Sequence, residues 1–244
     1  MSVSKSSIIL IFFGLLGLAP AVKAAEIKVY GGNFPPYSGI LDGRPFGIAV
    51  DILTAVTRAG GPKFIYDFSV SWARAQTQVL SDPNTLIIPF TKTSYREKQY
   101  KWVAPLFSYN IHFITIGRHE PVQTVEEAKN LRIGVVNGVP SYHLLRKLGF
   151  KNLDPVLSEE INMRKLELGR IDAWVVSDYI DKYVCSKLGW DVSKLQKGVN
   201  IGDVNMFYIA SGHDFPKKVS DQMAGIVERL QKSGEIEKIL NKYR

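Results

Sequence analysis

The chain is predicted to fold as α/β layers with largely parallel strands. Two observations predict this: short β-rich apolar runs recur along the sequence, and stretches with apolar residues at helical spacing separate them. The runs are IKVY at 27–30, KFIYDF at 63–68, LIIPF at 86–90, HFITI at 112–116, RIGVV at 132–136 and AWVVS at 173–177. Helical patterns fall between them at 50–59, 73–80, 125–130, 141–148 and 160–169. The closing stretch FPKKVSDQMAGIVERLQKSGEIEKILNKYR carries Val219, Met223, Ile226, Val227 and Leu230 at helical spacing. A Ser-Gly break follows, and then a short last helix with Ile236, Ile239 and Leu240, so these positions are expected to face the core.

The N-terminus reads as an export signal. Lys5 precedes an apolar run from Ile8 to Ala19, and Val22 and Ala24 supply small residues for cleavage. The run is too short to span a bilayer comfortably, and no cysteine follows it to carry a lipid. Cleavage after Ala24 removes Lys5 and Lys23 and leaves 29 basic against 23 acidic residues, a moderately basic exported chain expected in the periplasm. Cys185 is the only cysteine, so no intramolecular disulfide forms and stability must come from packing. Lysine and arginine are spread without a basic run, which argues against a nucleic-acid partner.

One cation sits where a helix does not favour it. In TKTSYREKQYKW, residues 91–102, Thr93 or Ser94 can serve as N-cap, and Ser94 with Glu97 fits a capping box, placing Arg96 in the first turn. The helix dipole is positive there and backbone N–H groups are unpaired, so a guanidinium costs electrostatic energy unless an anion lies opposite.

Seven stretches, in order, resemble the bacterial extracellular solute-binding proteins of family 3, which include periplasmic amino-acid-binding proteins of ABC transporters. They are NFPPYS, GIAVDI, VSWARAQTQVL, TKTSYREKQYKWVAPLF, RIGVVNGVPSYHLL, LELGRIDAWVVSD and LQKSGEIEKILNKY. The resemblance covers essentially the whole chain after the signal. It implies a two-lobed periplasmic-binding-protein fold of type II, with two crossing segments as a hinge. Lobe one would be 26–108 plus 210–244, and lobe two 109–209.

The resemblance also implies a site. Arg96 matches the arginine that forks onto the ligand carboxylate, with Thr91 in a hydroxyl position before it. Phe34 and Trp72 match ligand-stacking aromatics, expected to sandwich an aliphatic stem or to attract an ammonium by cation–π contact. Gly138, Val139 and Ser141 would offer backbone N–H groups from the start of a helix, although Val139 and Pro140 replace the family's threonine pair. The family's acid for an α-ammonium falls on Ser177, with Asp178 one place later. An offset of one at a strand end points to the other face, where Asp178 is expected to cap the following helix. Ala49, Gly31 and Gly32 supply no further carboxylate, which disfavours dicationic ligands.

The expected function is capture of a small carboxylate-bearing solute, a polar amino acid by family, for the permease of an ABC importer. The protein is expected to be monomeric and to need no cofactor or metal. Two alternatives stand: a ligand-sensing module for a membrane receptor, or a dehydratase-type enzyme on the same fold. Dehydration needs a general acid in the cleft, and no His or Glu occupies a motif position. His112, His119, His143 and His213 lack metal-ligand spacing, so neither catalysis nor zinc is expected.

Overall fold

In the computed structural model, which describes residues 26–117 and 119–244, the chain forms two five-stranded mixed sheets with helices packed on them. The signal segment expected at 1–24 lies outside the described residues. The first half runs β1 (Ile27–Gly31), a hairpin of β2 (Gly39–Leu41) and β3 (Arg44–Phe46), α1 (Ile48–Arg58), β4 (Phe64–Asp67), α2 (Trp72–Ser81), β5 (Thr85–Thr91) and β6 (Lys101–Tyr109). The chain continues with β7 (Ile111–Ile116), α3 (Val125–Ala128), β8 (Ile133–Val136), α4 (Pro140–Lys147), β9 (Leu153–Val156), α5 (Glu159–Glu167) and β10 (Ala173–Ser177). It closes with α6 (Ile180–Leu188), β11 (Leu195–Asn200), β12 (Asn205–Ser211), α7 (Lys217–Lys232) and α8 (Glu235–Asn241).

The first sheet has the order β4-β1-β5-β12-β6 and the second β11-β7-β10-β8-β9. Each contains three parallel strands, β4-β1-β5 in one and β10-β8-β9 in the other. The remaining strands pair antiparallel, and they are the ones that carry the chain between sheets. β6 passes into β7 with only Asn110 between them, and residues 201–204 join β11 to β12. The first crossing is extended and the stretch expected to be extended at 204–210 falls largely in β12, while residues 201–204 bend through Gly202 at φ 73°.

Alternation along β10 shows how the helices are held. Ala173 and Val175 face the large core that runs on through Phe113, Ile111 and Phe207 into the first sheet. Trp174 and Val176 face α5 and α6, against Met163, Val184 and Cys185. In the C-terminal helices Met223, Ile226, Val227, Ile236, Ile239 and Leu240 are buried, matching their spacing.

Asp178, just after β10, ties the crossing to the second sheet. Its Oδ2 accepts from the Asn110 backbone N–H at 2.7 Å and from Asn110 Nδ2 at 3.0 Å. Its Oδ1 takes the Lys197 ammonium and lies 3.4 Å from Nδ1 of the fully buried His112. The expected helix cap is therefore not made. Tyr179, in a left-handed conformation at φ 74°, stands at the N-cap of α6, and no side chain caps that end. An N-terminal turn offers only neutral N–H groups, whereas Lys197 and Asn110 offer a charge and two donors. Burial acts against ionisation of Asp178, but Lys197, the Asn110 N–H and His112 hold its carboxyl below the usual range.

Two predictions concern stability. Asp178→Ala leaves the Asn110 N–H without its acceptor and should destabilise the fold by about 1–3 kcal/mol in urea denaturation. Because the folded-state pKa is depressed, the Asp178 contribution is present above the ordinary aspartate pKa and lost as pH falls through the folded value; Asp178→Asn should flatten that acid limb. Glu159 behaves oppositely. Its Oε2 accepts from Trp174 Nε1 at 2.7 Å and Asn162 Nδ2 at 3.1 Å, and burial pushes its pKa up to about 7. The native state then binds more protons than the unfolded chain above the ordinary glutamate value of 4.5, so stability should fall as pH rises from there to about 7. Glu159→Gln should remove that slope, and an unchanged slope would assign it to other groups.

Candidate functional site

Three parallel strands end at one edge of each sheet, and the crevice outside such carboxyl ends is where open α/β sheets take ligands. In the first sheet β1 ends at Gly31, level with Ile88 of β5. The chain then turns through Phe34, whose backbone bridges to Ser38 around a cis Pro35–Pro36 bond. The Phe34 ring lies directly on Gly32, where a Cβ would come within 1.9 Å of it, so only glycine permits this seat. Phe34 is 42% exposed at the edge. Ser71 caps α2 by accepting from Arg74 N, which sets Trp72 at the helix start.

Phe34 and Trp72 meet edge to face, with centroids 5.1 Å apart and planes at 86°. That corrects the expected sandwich: rings in direct contact leave no slot between them for an aliphatic stem. They make one apolar wall instead, continued by Phe90, 5.8 Å from Trp72.

Arg96 lies on that wall. Its guanidinium carbon is 4.1 Å from the centre of the Phe90 ring. Nη1 donates to the Thr91 carbonyl at 3.2 Å and Nη2 to Gln76 Oε1 at 2.9 Å. Both acceptors are neutral, and among the described residues Arg96 has no carboxylate in ion-pair range. Burial lowers its pKa, opposed only by Tyr100 and Tyr109. The segment departs from the expected helix: residues 94–99 form successive turns, Thr93 Oγ1 accepts from Arg96 N, and Glu97 pairs with Lys92 at 2.9 Å. The capping box is not made because the ammonium of Lys92 is a stronger partner for Glu97 than a backbone N–H. Thr91 Oγ1 lies 3.5 Å from Tyr109 Oη, with burial raising the tyrosine pKa.

At the carboxyl edge of the second sheet, Gly138 takes φ 74° and Val139 forms the N-cap of α4, with Pro140 in the first turn and Ser141 buried. Among the described residues, the backbone N–H groups of Gly138, Val139 and Ser141 make no backbone hydrogen bond. The pairing of Ala173 with Ile133 puts Ser177 level with Asn137 along parallel strands, so Ser177 ends at the same edge as Gly138. Tyr37, from the Phe34 turn, donates its hydroxyl to the Asp178 carbonyl at 2.7 Å. The two carboxyl edges therefore meet at this bond.

The structure thus gathers Phe34, Trp72, Thr91 and Arg96 into one cluster and puts Gly138, Val139, Ser141 and Ser177 at the carboxyl edge of the second sheet. Asp178 belongs to neither: its carboxylate lines a separate cavity of about 660 Å³ with Asn110, Lys197, Tyr179 and Arg244. Sequence reasoning missed Gln76 and Tyr109. Gln76 was within reach, since it lies four places after Trp72 and so on the same helix face.

The fold has close likenesses of low sequence identity. The second substrate-binding domain of GlnP from Lactococcus lactis, in an open conformation, superposes with a TM-score of 0.75 at 21% identity, covering 93% of this chain and 98% of that one. An ancestral cationic amino acid solute-binding protein gives 0.76 at 14% identity, covering 89% and 95%. A histidine kinase sensor domain similar to periplasmic binding proteins gives 0.68 at 18% identity, covering 89% and 95%. No curated protein matches the chain. These likenesses place the architecture among two-lobed periplasmic-binding-protein folds. The family model for bacterial extracellular solute-binding proteins, family 3, matches residues 27–244, and the chain belongs to that family.

Proposed function

We propose that this protein is an exported periplasmic receptor that captures a small carboxylate-bearing solute between two lobes, 26–108 with 210–244 and 109–209, and presents it to the permease of an ABC importer. One observation carries the reading: a half-buried guanidinium stands at the carboxyl edge of a sheet with neutral acceptors and no carboxylate partner. A ligand anion supplies that partner, with Thr91 and Tyr109 as hydroxyls beside it and Phe34 and Trp72 as the apolar wall. Gly138, Val139, Ser141 and Ser177 would reach the same ligand from the second lobe on hinge closure. A charge-assisted hydrogen bond contributes about 1.5–3 kcal/mol, and micromolar affinity needs about 8 kcal/mol, so burial between the lobes must supply the rest. Amino-acid binding in relatives supports the solute class. The likeness to a histidine kinase sensor domain favours a second output, in which the closed lobes are read by a membrane receptor.

Thermal-shift screening of the mature protein against carboxylates, with product analysis of each hit, tests the reading. A stabilising acid recovered unchanged is the expected result; turnover of a hit would replace the receptor with an enzyme. Arg96→Ala should abolish the shift while leaving circular dichroism unaltered, and unchanged affinity in that variant would refute the site. Gln76→Ala should keep the fold and weaken the same ligand severalfold, because Arg96 loses its Nη2 anchor but keeps the Thr91 carbonyl.

A further inference from the structure

The site has a cation for a carboxylate and, among the described residues, no carboxylate left free at the end of β10 to receive an ammonium; Asp67, at the end of β4, is bonded to Ser69 N and Oγ at 3.1 and 2.7 Å. Ser177 occupies the end of β10 at the ligand-facing edge. The acid one residue later is turned to the far side and filled there: Asn110 donates twice to Oδ2, while Lys197 and His112 face Oδ1. Those partners come from the crossing at Asn110 and from β7 and β11 of the same sheet, so a rigid-body closure does not release the carboxylate. Glu97, the acid next to Arg96 in sequence, is bound to Lys92 at 2.9 Å. The Thr91 carbonyl, an alternative acceptor for an ammonium, already takes Arg96 Nη1.

With its own carboxylate engaged by Arg96, an α-ammonium would therefore lose its hydration without gaining a counter-charge from the protein, which is the costly way to bury an ion. A carboxylate with an apolar, carbonyl or hydroxyl substituent in that place meets Ser177 and the aromatic wall at no such cost. Resting on the receptor reading above, we infer that the ligand is a small carboxylate that carries no α-ammonium, such as an oxo, hydroxy or unsubstituted acid, rather than an α-amino acid.

Isothermal titration calorimetry of the mature protein with matched pairs tests this: phenylalanine with phenylpyruvate, alanine with pyruvate, aspartate with succinate and leucine with isocaproate. In any pair that binds, the ammonium-free acid should bind at least tenfold tighter. Ser177→Asp should then shift that ratio toward the amino acid by tenfold or more. An amino acid that binds tighter than its partner, with affinity lost in Arg96→Ala, overturns this inference and leaves the receptor reading standing. If no acid of the set binds, or if binding is indifferent to Arg96→Ala, both readings fall together.

Discussion

The carboxyl edge of the first sheet is arranged around one half-buried positive charge. Arg96 is held by the Thr91 carbonyl at the end of β5, by Gln76 from α2 and by the face of Phe90. Each is neutral, so the guanidinium is positioned without being neutralised, and these contacts use only part of its five N–H donors. Positioning by neutral groups is what a binding site requires. A resident carboxylate would fix the side chain equally well, but a ligand would then have to displace it. The aromatic wall completes the arrangement, since low-polarity neighbours strengthen any charge-assisted bond formed there.

The second dependence is the junction. Two antiparallel crossings meet where β6 gives way to β7 and β11 leads to β12, and Asn205 pairs with Tyr109 across them. A stacked pair of Tyr109 and Phe207 rings, 4.3 Å apart, fills the space between the sheets, with Tyr37 against both. Tyr109 therefore belongs at once to the junction and, through Thr91, to the Arg96 cluster. A change in the angle between the lobes would be felt at the Arg96 cluster through that one side chain.

The parallel core was legible in the sequence because its strands are buried on both faces and read as apolar runs; AWVVS appears as β10 without adjustment. Of the strands of the five-stranded sheets outside those runs, β12 lies inside the first sheet, but three stand at sheet edges: β6, β9 and β11. β9 reads LDPV and β11 reads LQKGVN, and both stand last in their sheet, where proline, glycine and charge are tolerated. In the candidate site, Arg96, Thr91, Phe34 and Trp72 are singled out by family spacing, and their convergence could not be read from periodicity. The turn at 94–99 was misread as a helix because its S-x-x-E pattern is local, while the competition from Lys92 depends on how the chain folds back. The one-residue offset of Asp178 was legible from strand alternation. Its partners were not, because Asn110 and Lys197 lie 68 and 19 residues away and only the sheet brings them together.

That offset links the junction to the chemistry of the site. A carboxylate at position 177 would lie on the other face of the strand end from Asp178, at the edge that carries Gly138. Placed at 178, it finds Lys197 and the Asn110 N–H, and steadies the crossing instead. One strand end cannot direct a single carboxylate to both faces. The second sheet keeps its acid for the junction, and the crevice is left with an unbalanced positive charge inside a mildly basic protein. Such a field attracts anions over distances of about 8–10 Å at moderate salt and repels cations in the same range. The same residue choice that stiffens the crossing therefore leaves Arg96 to set the sign of the field at that edge.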